Sequence, residues 1–61
     1  MLEYFKTILH KVSFDVTLFE KELRKAIKSL VPEEMTEFRD WCYHEFGHVY
    51  KSVLNHCFTL T

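Results

Sequence analysis

Apolar residues recur at helical spacing through the first half of the chain. One stripe runs at steps of three and four residues and consists of Leu2, Phe5, Leu9 and Val12. A second stripe, in residues 16–30, keeps this spacing through Val16, Phe19, Leu23, Ile27 and Leu30. This spacing is typical of one face of an α-helix. Ser13 and Asp15, between the stripes, are both favoured helix N-cap residues. The pattern predicts helices at about 2–12 and 15–30.

A third stripe follows Pro32, which is well tolerated at the first position of a helix. Its members are Met35, Phe38, Cys42, Phe46, Val49, Val53 and Cys57. The phase continues across Gly47, so we predict one helix at about 32–58 that is bent near Gly47. The alternative is two helices, 32–46 and 48–58, because glycine is also common just beyond a helix end. No segment alternates with period two, so we predict an all-α, small three-helix bundle and a single helical domain, 1–61.

Composition narrows the class of protein further. Hydrophobic residues make up 48% of the 61 residues and the net charge is −1, a balance that disordered chains do not have. The longest uncharged run, residues 52–61, is half of the roughly 20 residues that a membrane span requires. A pI near 6.4 is far from the basic character of nucleic-acid-binding domains. We therefore expect neither a membrane nor a nucleic acid as partner.

The chain has more large apolar side chains than three short helices can cover. Six of them lie off the central stripes, namely Phe14, Leu18, Trp41, Tyr43, Tyr50 and Leu54. Exposed apolar surface generally marks an interaction site, and two-fold homodimers are the commonest assemblies. We therefore expect a homodimer that uses this surface. The alternative is a tightly packed monomer with a few partly exposed aromatic residues.

The charges are unevenly distributed along the chain. Residues 1–31 carry six basic and four acidic residues, whereas residues 32–61 carry two basic and five acidic residues. A tight turn at Val31 and Pro32 would make the second and third helices antiparallel neighbours. We therefore expect opposite charges to face each other near this turn, with Lys21, Lys25 and Lys28 on one side and Glu33, Glu37 and Asp40 on the other.

The N-terminal sequence predicts the cellular compartment, and the compartment predicts the redox state of the two cysteines. Glu3 and Lys6 interrupt the apolar run that a signal peptide would need, so we expect a cytoplasmic protein. Cys42 and Cys57 should then be reduced. Their separation matches no zinc-ribbon or CxxC spacing, and we interpret both as small buried apolar residues. A redox pair or an intermolecular disulfide is the alternative.

One short segment has the residue types of a catalytic site. His44-Glu45-Phe46-Gly47-His48 reads HExxH and resembles the zinc-binding motif of metalloproteases. The resemblance implies zinc ligands at His44 and His48 and a general base at Glu45. It covers five residues, and the extended motif fails because Lys51 stands where it has glycine and Leu54 where it has a third histidine. His10 could complete a site only by tertiary contact or from a second chain.

Taken together, these patterns predict a small non-enzymatic helical protein-interaction module that is homodimeric. We assign no catalytic, cofactor-binding or metal-binding residue and no cofactor. The alternative function is metal binding at the HExxH-like segment. In the non-metal interpretation, Phe46 points into the core, while His44, Glu45 and His48 occupy a solvated flank of the helix.

Overall fold

Three α-helices joined by short turns form the protein. The computed structural model describes residues 1–59, in which α1 spans Leu2–Lys11, α2 spans Val16–Ser29 and α3 spans Pro32–Thr59. These residues contain no strand. The predicted all-α three-helix bundle is confirmed, with helix ends within one or two residues of those expected. Residues 60 and 61 of the predicted single domain lie outside the described residues.

The turns between the helices follow from local chemistry. Asp15, rather than Ser13, is the N-cap of α2, since its Oδ1 accepts hydrogen bonds from the backbone N–H groups of Thr17 at 2.9 Å and Leu18 at 3.2 Å. Leu30 is extended, with φ −78° and ψ 144°, and ends α2. The chain then enters α3 at Pro32, as the restriction on residues that precede proline favours. Both predicted turns are therefore present.

Helix α3 folds back on itself at Tyr50, whose φ of −120° and ψ of 31° are not helical. A straight helix of 28 residues would be about 42 Å long, yet the longest dimension of the molecule is 27 Å. The rings of Phe38 and Phe58 lie only 6.2 Å apart, although 20 residues of straight helix would separate them by about 30 Å. The second arm, residues 51–59, therefore packs along the first arm, residues 32–49.

The bend predicted near Gly47 thus lies three residues further along, at Tyr50. Gly47 has no positive φ and belongs to regular helix. Tyr50 is held by tertiary contacts, since its ring lies 4.5 Å from that of Phe19 and its hydroxyl donates a hydrogen bond to the carbonyl oxygen of Ser13. The position of the reversal therefore depends on contacts with α2 and with the α1–α2 turn.

The second arm of α3 completes the core. The fully buried large side chains come from all three helices and are Phe19, Phe38, Leu9, Leu23, Leu54 and Cys42. We expected Trp41, Tyr43, Tyr50 and Leu54 to be left outside the bundle, and this was wrong. Leu54 is completely buried and the three aromatic residues pack against the core. Leu54 and Tyr43 are covered because the reversal of α3 returns its second arm to the core, where Phe58 packs against Tyr43. Trp41 instead packs against His10 of α1, and Tyr50 packs against Phe19 of α2.

The expected charge pairing between α2 and α3 is absent from the described ion pairs. Glu37 instead lies 3.7 Å from Lys6 of α1. In α2, Arg24 pairs with Glu20 and Lys25 with Glu22, all within the same helix. Of the three acidic residues expected to pair with α2, Glu37 pairs with α1, and Glu33 and Asp40 make no ion pair with α2 among residues 1–59, so the sequence-based pairing was wrong. Within residues 1–59, we find no helix with both the length and the apolar character of a membrane span.

Replacing Gly47 with alanine tests whether the helix is continuous at this position. A Cβ atom there would lie 3.9 Å from Tyr43 Cβ and Cδ1, an ordinary van der Waals distance. Because alanine is favoured over glycine inside a helix by about 1 kcal/mol, Gly47→Ala should raise the free energy of unfolding by about 0.5–1 kcal/mol. Urea denaturation followed by circular dichroism measures this change. A loss of stability would instead indicate a helix end at Gly47.

Candidate functional site

The HExxH-like segment lies in the regular first arm of α3. His44 and His48 are both exposed, and the His44 side chain is 83% accessible. Phe46 is buried in the core. Because the helix is regular through Gly47, the two imidazoles lie one turn apart on the same side of α3. The expected arrangement, with Phe46 inward and the histidines on a solvated flank, is confirmed.

Glu45 has partners that the sequence did not identify. Its carboxylate lies between two histidines, with His10 Nε2 3.5 Å from Oε1 and His44 Nε2 4.0 Å from Oε2. The His10 ring also packs edge-on against Trp41, with centroids 5.4 Å apart, and lies 5.3 Å from Phe46. His10 therefore does reach the segment by tertiary contact, but its contact is with the glutamate.

The metal-binding interpretation lacks a third ligand in the described part of the chain. Within residues 1–59, no group of three or more His, Cys, Asp or Glu side chains is arranged to hold a metal ion. A catalytic zinc site requires three protein ligands besides its bound water. The resemblance to metalloproteases thus extends to the spacing of His44 and His48 and not to a complete catalytic site.

The two thiols belong to the core. Cys42 and Cys57 are free and buried, as the sequence predicted. Burial raises the pKa of the Cys42 thiol to about 12, and the charge of nearby Lys6 opposes this shift only in part. A thiol with so high a pKa is protonated at neutral pH, and the thiolate is the reactive form. Cys42 therefore has the chemistry of a packing residue.

Four of the exposed apolar side chains lie at one end of the bundle, whereas Met1, Tyr4 and Val31 lie towards the other end. Phe14 is 80% exposed and Val49 is 60% exposed, and the hydrogen bond from Tyr50 to Ser13 brings their two chain segments together. Val16 and Leu18 in the first turn of α2 are also exposed. We call this set the Phe14 surface; it consists of Phe14, Val16, Leu18 and Val49.

The exposure of this surface was only partly predictable. Phe14 and Leu18 lie off the helical stripes and were expected to be exposed, which the structure confirms. Val16 and Val49 continue the core stripes of their helices, so their exposure corrects that expectation. Val16 lies in the first turn of α2 and Val49 in the last turn of the first arm of α3, so both lie at the end of the bundle. A periodic pattern cannot show where a bundle ends.

Phe14 also departs from a common local arrangement. It directly precedes the N-cap Asp15, a position from which an apolar side chain often packs against the residue four places into the helix, here Phe19. Phe19 is instead covered by Phe46 at 4.9 Å and Tyr50 at 4.5 Å between ring centroids. Phe14 consequently stays in solvent. A large aromatic side chain is therefore exposed on a turn whose backbone is fixed by the Asp15 cap and by the hydrogen bond from Tyr50 to Ser13.

Comparisons of this chain with protein-family models, with curated proteins and with solved structures gave no match.

The burial of Cys42 predicts slow chemistry with thiol reagents. In a Cys57→Ala variant, whose single thiol is Cys42, reaction with Ellman's reagent at pH 8 should be at least tenfold slower than for the same chain in 6 M guanidinium chloride, because thiolate formation is suppressed in the folded state. Absorbance at 412 nm follows the reaction. Equal rates in the two solvents would show that Cys42 is accessible.

The spacing of His44 and His48 predicts weak zinc uptake. Two imidazoles one helical turn apart chelate a divalent ion, but with fewer ligands than a structural zinc site provides. Titration calorimetry should show weak binding that His48→Ala abolishes and that His56→Ala, in the second arm, leaves unchanged. Equal uptake by the wild type and His48→Ala would reject this pair as the binding site.

Proposed function

We propose that this protein is a small, non-enzymatic helical interaction module, and that its first partner is a second copy of the chain. The observation that carries the proposal is the 80% exposure of Phe14 beside three other exposed apolar residues. Full burial of a phenylalanine side chain contributes about 1.5–3 kcal/mol. In the monomer Phe14 is mostly exposed, so most of this free energy is not gained. A contact that covers Phe14 would gain it.

The Phe14 surface has further properties of a contact surface. Aromatic residues are enriched at the centres of protein interfaces, and Phe14 stands among smaller aliphatic side chains. Its backbone is held on both sides, by the Asp15 cap and by the hydrogen bond that Ser13 accepts from Tyr50. A surface that is ordered before binding loses less conformational entropy when it binds.

The non-enzymatic part of the proposal has separate support. Cys42, one of the two thiols, is buried with a raised pKa, and the carboxylate of Glu45 already contacts His10 and His44. The HExxH-like segment lacks a third ligand among residues 1–59. We also propose a cytoplasmic location, because two buried, unbridged thiols suit a reducing compartment.

The exposed aromatic residues provide a matched test of self-association. Phe14→Ser should weaken association about tenfold or more, as the loss of at least 1.4 kcal/mol requires. Tyr4→Ser is the control, since Tyr4 is also exposed, at 56%, but lies in the first turn of α1, at the opposite end of that helix from the α1–α2 turn that carries Phe14. Sedimentation velocity from 10 µM to 1 mM measures the average mass.

The proposal fails if the wild-type chain keeps a single-copy mass over this whole range of concentration. Equal weakening by Phe14→Ser and Tyr4→Ser would also contradict it, because the contact would then not be centred on Phe14. Circular dichroism of both variants checks that each remains folded. Exposed substitutions usually change stability by no more than about 0.5 kcal/mol, so we expect both variants to fold.

A further inference from the structure

Two exposed imidazoles on α3 are little engaged by the rest of the chain. The His44 side chain is 83% accessible, and the distance from its Nε2 to Oε2 of Glu45, 4.0 Å, is too long for a hydrogen bond. His48 is exposed and makes no ion pair within residues 1–59. The Cβ atoms of helical residues four apart are separated by about 5–6 Å. Both rings can therefore turn a nitrogen atom towards the same ion.

One chain supplies only half of the ligands that a closed metal site needs. Zinc in such a site is bound by four protein ligands in a tetrahedral arrangement, with nitrogen atoms at about 2.0–2.1 Å. Within residues 1–59, no three His, Cys, Asp or Glu side chains are arranged to hold an ion. The two remaining ligands of an ion at His44 and His48 must therefore come from outside these residues. Water supplies them in the weak complex of one ion with one chain.

A second copy of the chain carries the two ligands that are missing. A two-fold axis through the ion relates His44 and His48 of one copy to the same residues of the other. The four nitrogen atoms then complete the tetrahedral site that one copy leaves half filled. Both histidines lie on the outer side of the first arm, so the second copy approaches α3 from solvent.

Gly47 leaves open space beside this pair of histidines. It lies three residues after His44 and directly before His48. The fold itself does not require glycine here, because its φ is not positive and a Cβ atom would meet only Tyr43, at 3.9 Å. Glycine inside a helix nevertheless costs about 1 kcal/mol relative to alanine. The missing side chain gives a second helix room beside the imidazoles.

The nearest charges to the pair on α3 are carboxylates. Glu45 lies beside His44, and Asp40 is exposed one turn before His44 on the same side of the helix. Asp40 makes no ion pair within the described residues. Lys51, the basic residue closest to His48 along the chain, lies in the second arm, beyond the reversal. These carboxylates favour a divalent cation between the two copies.

We propose that a zinc ion joins two copies of this chain, held by His44 and His48 of each copy. The contact lies on α3 and does not depend on the proposed association through Phe14. The neutral imidazoles donate nitrogen lone pairs to the ion, and no covalent bond of the chain changes. Because each ion needs two chains, pairing is greatest at one zinc per two chains. Excess zinc gives each chain its own ion and separates the copies again.

A zinc titration followed by sedimentation velocity tests this inference. The parent chain for the test is Phe14→Ser, so that association through the Phe14 surface does not contribute. At 200 µM and pH 7.5 we expect a single-copy mass in EDTA and a two-copy mass with half an equivalent of zinc. With ten equivalents the mass should return towards that of one copy. Cobalt in place of zinc should give the intense visible absorption of a tetrahedral site.

Histidine variants of the parent chain identify the ligands. His44→Ala and His48→Ala each remove one ligand per copy and should keep a single-copy mass at half an equivalent of zinc. His56→Ala is the control, because His56 is an exposed histidine of the second arm, and it should pair as the parent chain does. Alanine is the residue most favourable to a helix, so we expect all three variants to fold, which circular dichroism checks.

The outcomes separate this inference from the proposed function. A single-copy mass at every zinc concentration overturns the inference, and so does pairing that survives in His48→Ala. Uptake of one zinc per chain without pairing would indicate an adventitious ion only and also overturns it. If the wild type associates in EDTA and zinc has no effect, the proposed function stands without this inference. If the wild type is monomeric in EDTA and pairs with zinc, the inference stands and the contact through Phe14 is contradicted.

Discussion

The contacts of Tyr50 hold the fold together. Its ring lies 4.5 Å from Phe19 of α2, and its hydroxyl donates a hydrogen bond to Ser13 in the α1–α2 turn. These contacts join α3 to α2 and to the α1–α2 turn at the single residue of α3 that is not helical. Without the reversal at Tyr50, residues 51–59 would extend beyond the bundle as a single unsupported helix. With it, Leu54 and Cys57 are buried.

The reversal also creates the surface on which the proposed function depends. A chain that turns back at Tyr50 leaves Val49 on the last turn of the first arm, where it is 60% exposed. The same contacts bring this turn next to residues 13–16, where Phe14 projects from a capped helix start. Most of the aromatic side chains that lie off the helical stripes pack against the core. The Phe14 surface, which stays exposed, is therefore small and localised. This explains why we propose a contact centred on Phe14 rather than an extensive dimer face along the helices.

The HExxH-like segment shows how tertiary context limits a short motif. The spacing of His44 and His48 is correct for two ligands on one helix, but the residues around them give Glu45 a different setting. His10 reaches Glu45 across the α1–α3 contact at 3.5 Å and packs against Trp41. The motif is thus part of the packing between α1 and α3. The five-residue motif specifies the spacing of His44 and His48. It does not specify that His10 lies next to Glu45, because His10 is distant in the sequence.

The sequence by itself determined the helices and most of their buried faces, because apolar periodicity, the Asp15 cap and the break at Pro32 are local properties of neighbouring residues. It also determined that Phe14 and Leu18 lie outside the helical stripes and that Cys42 and Cys57 lie within one. Tertiary structure decided where α3 reverses, since that position depends on partners for Tyr50 that are distant in the chain. It decided too that Trp41 and Leu54 are covered and that Val49 is not, because burial depends on which helix lies opposite a residue, and periodicity carries no information about that.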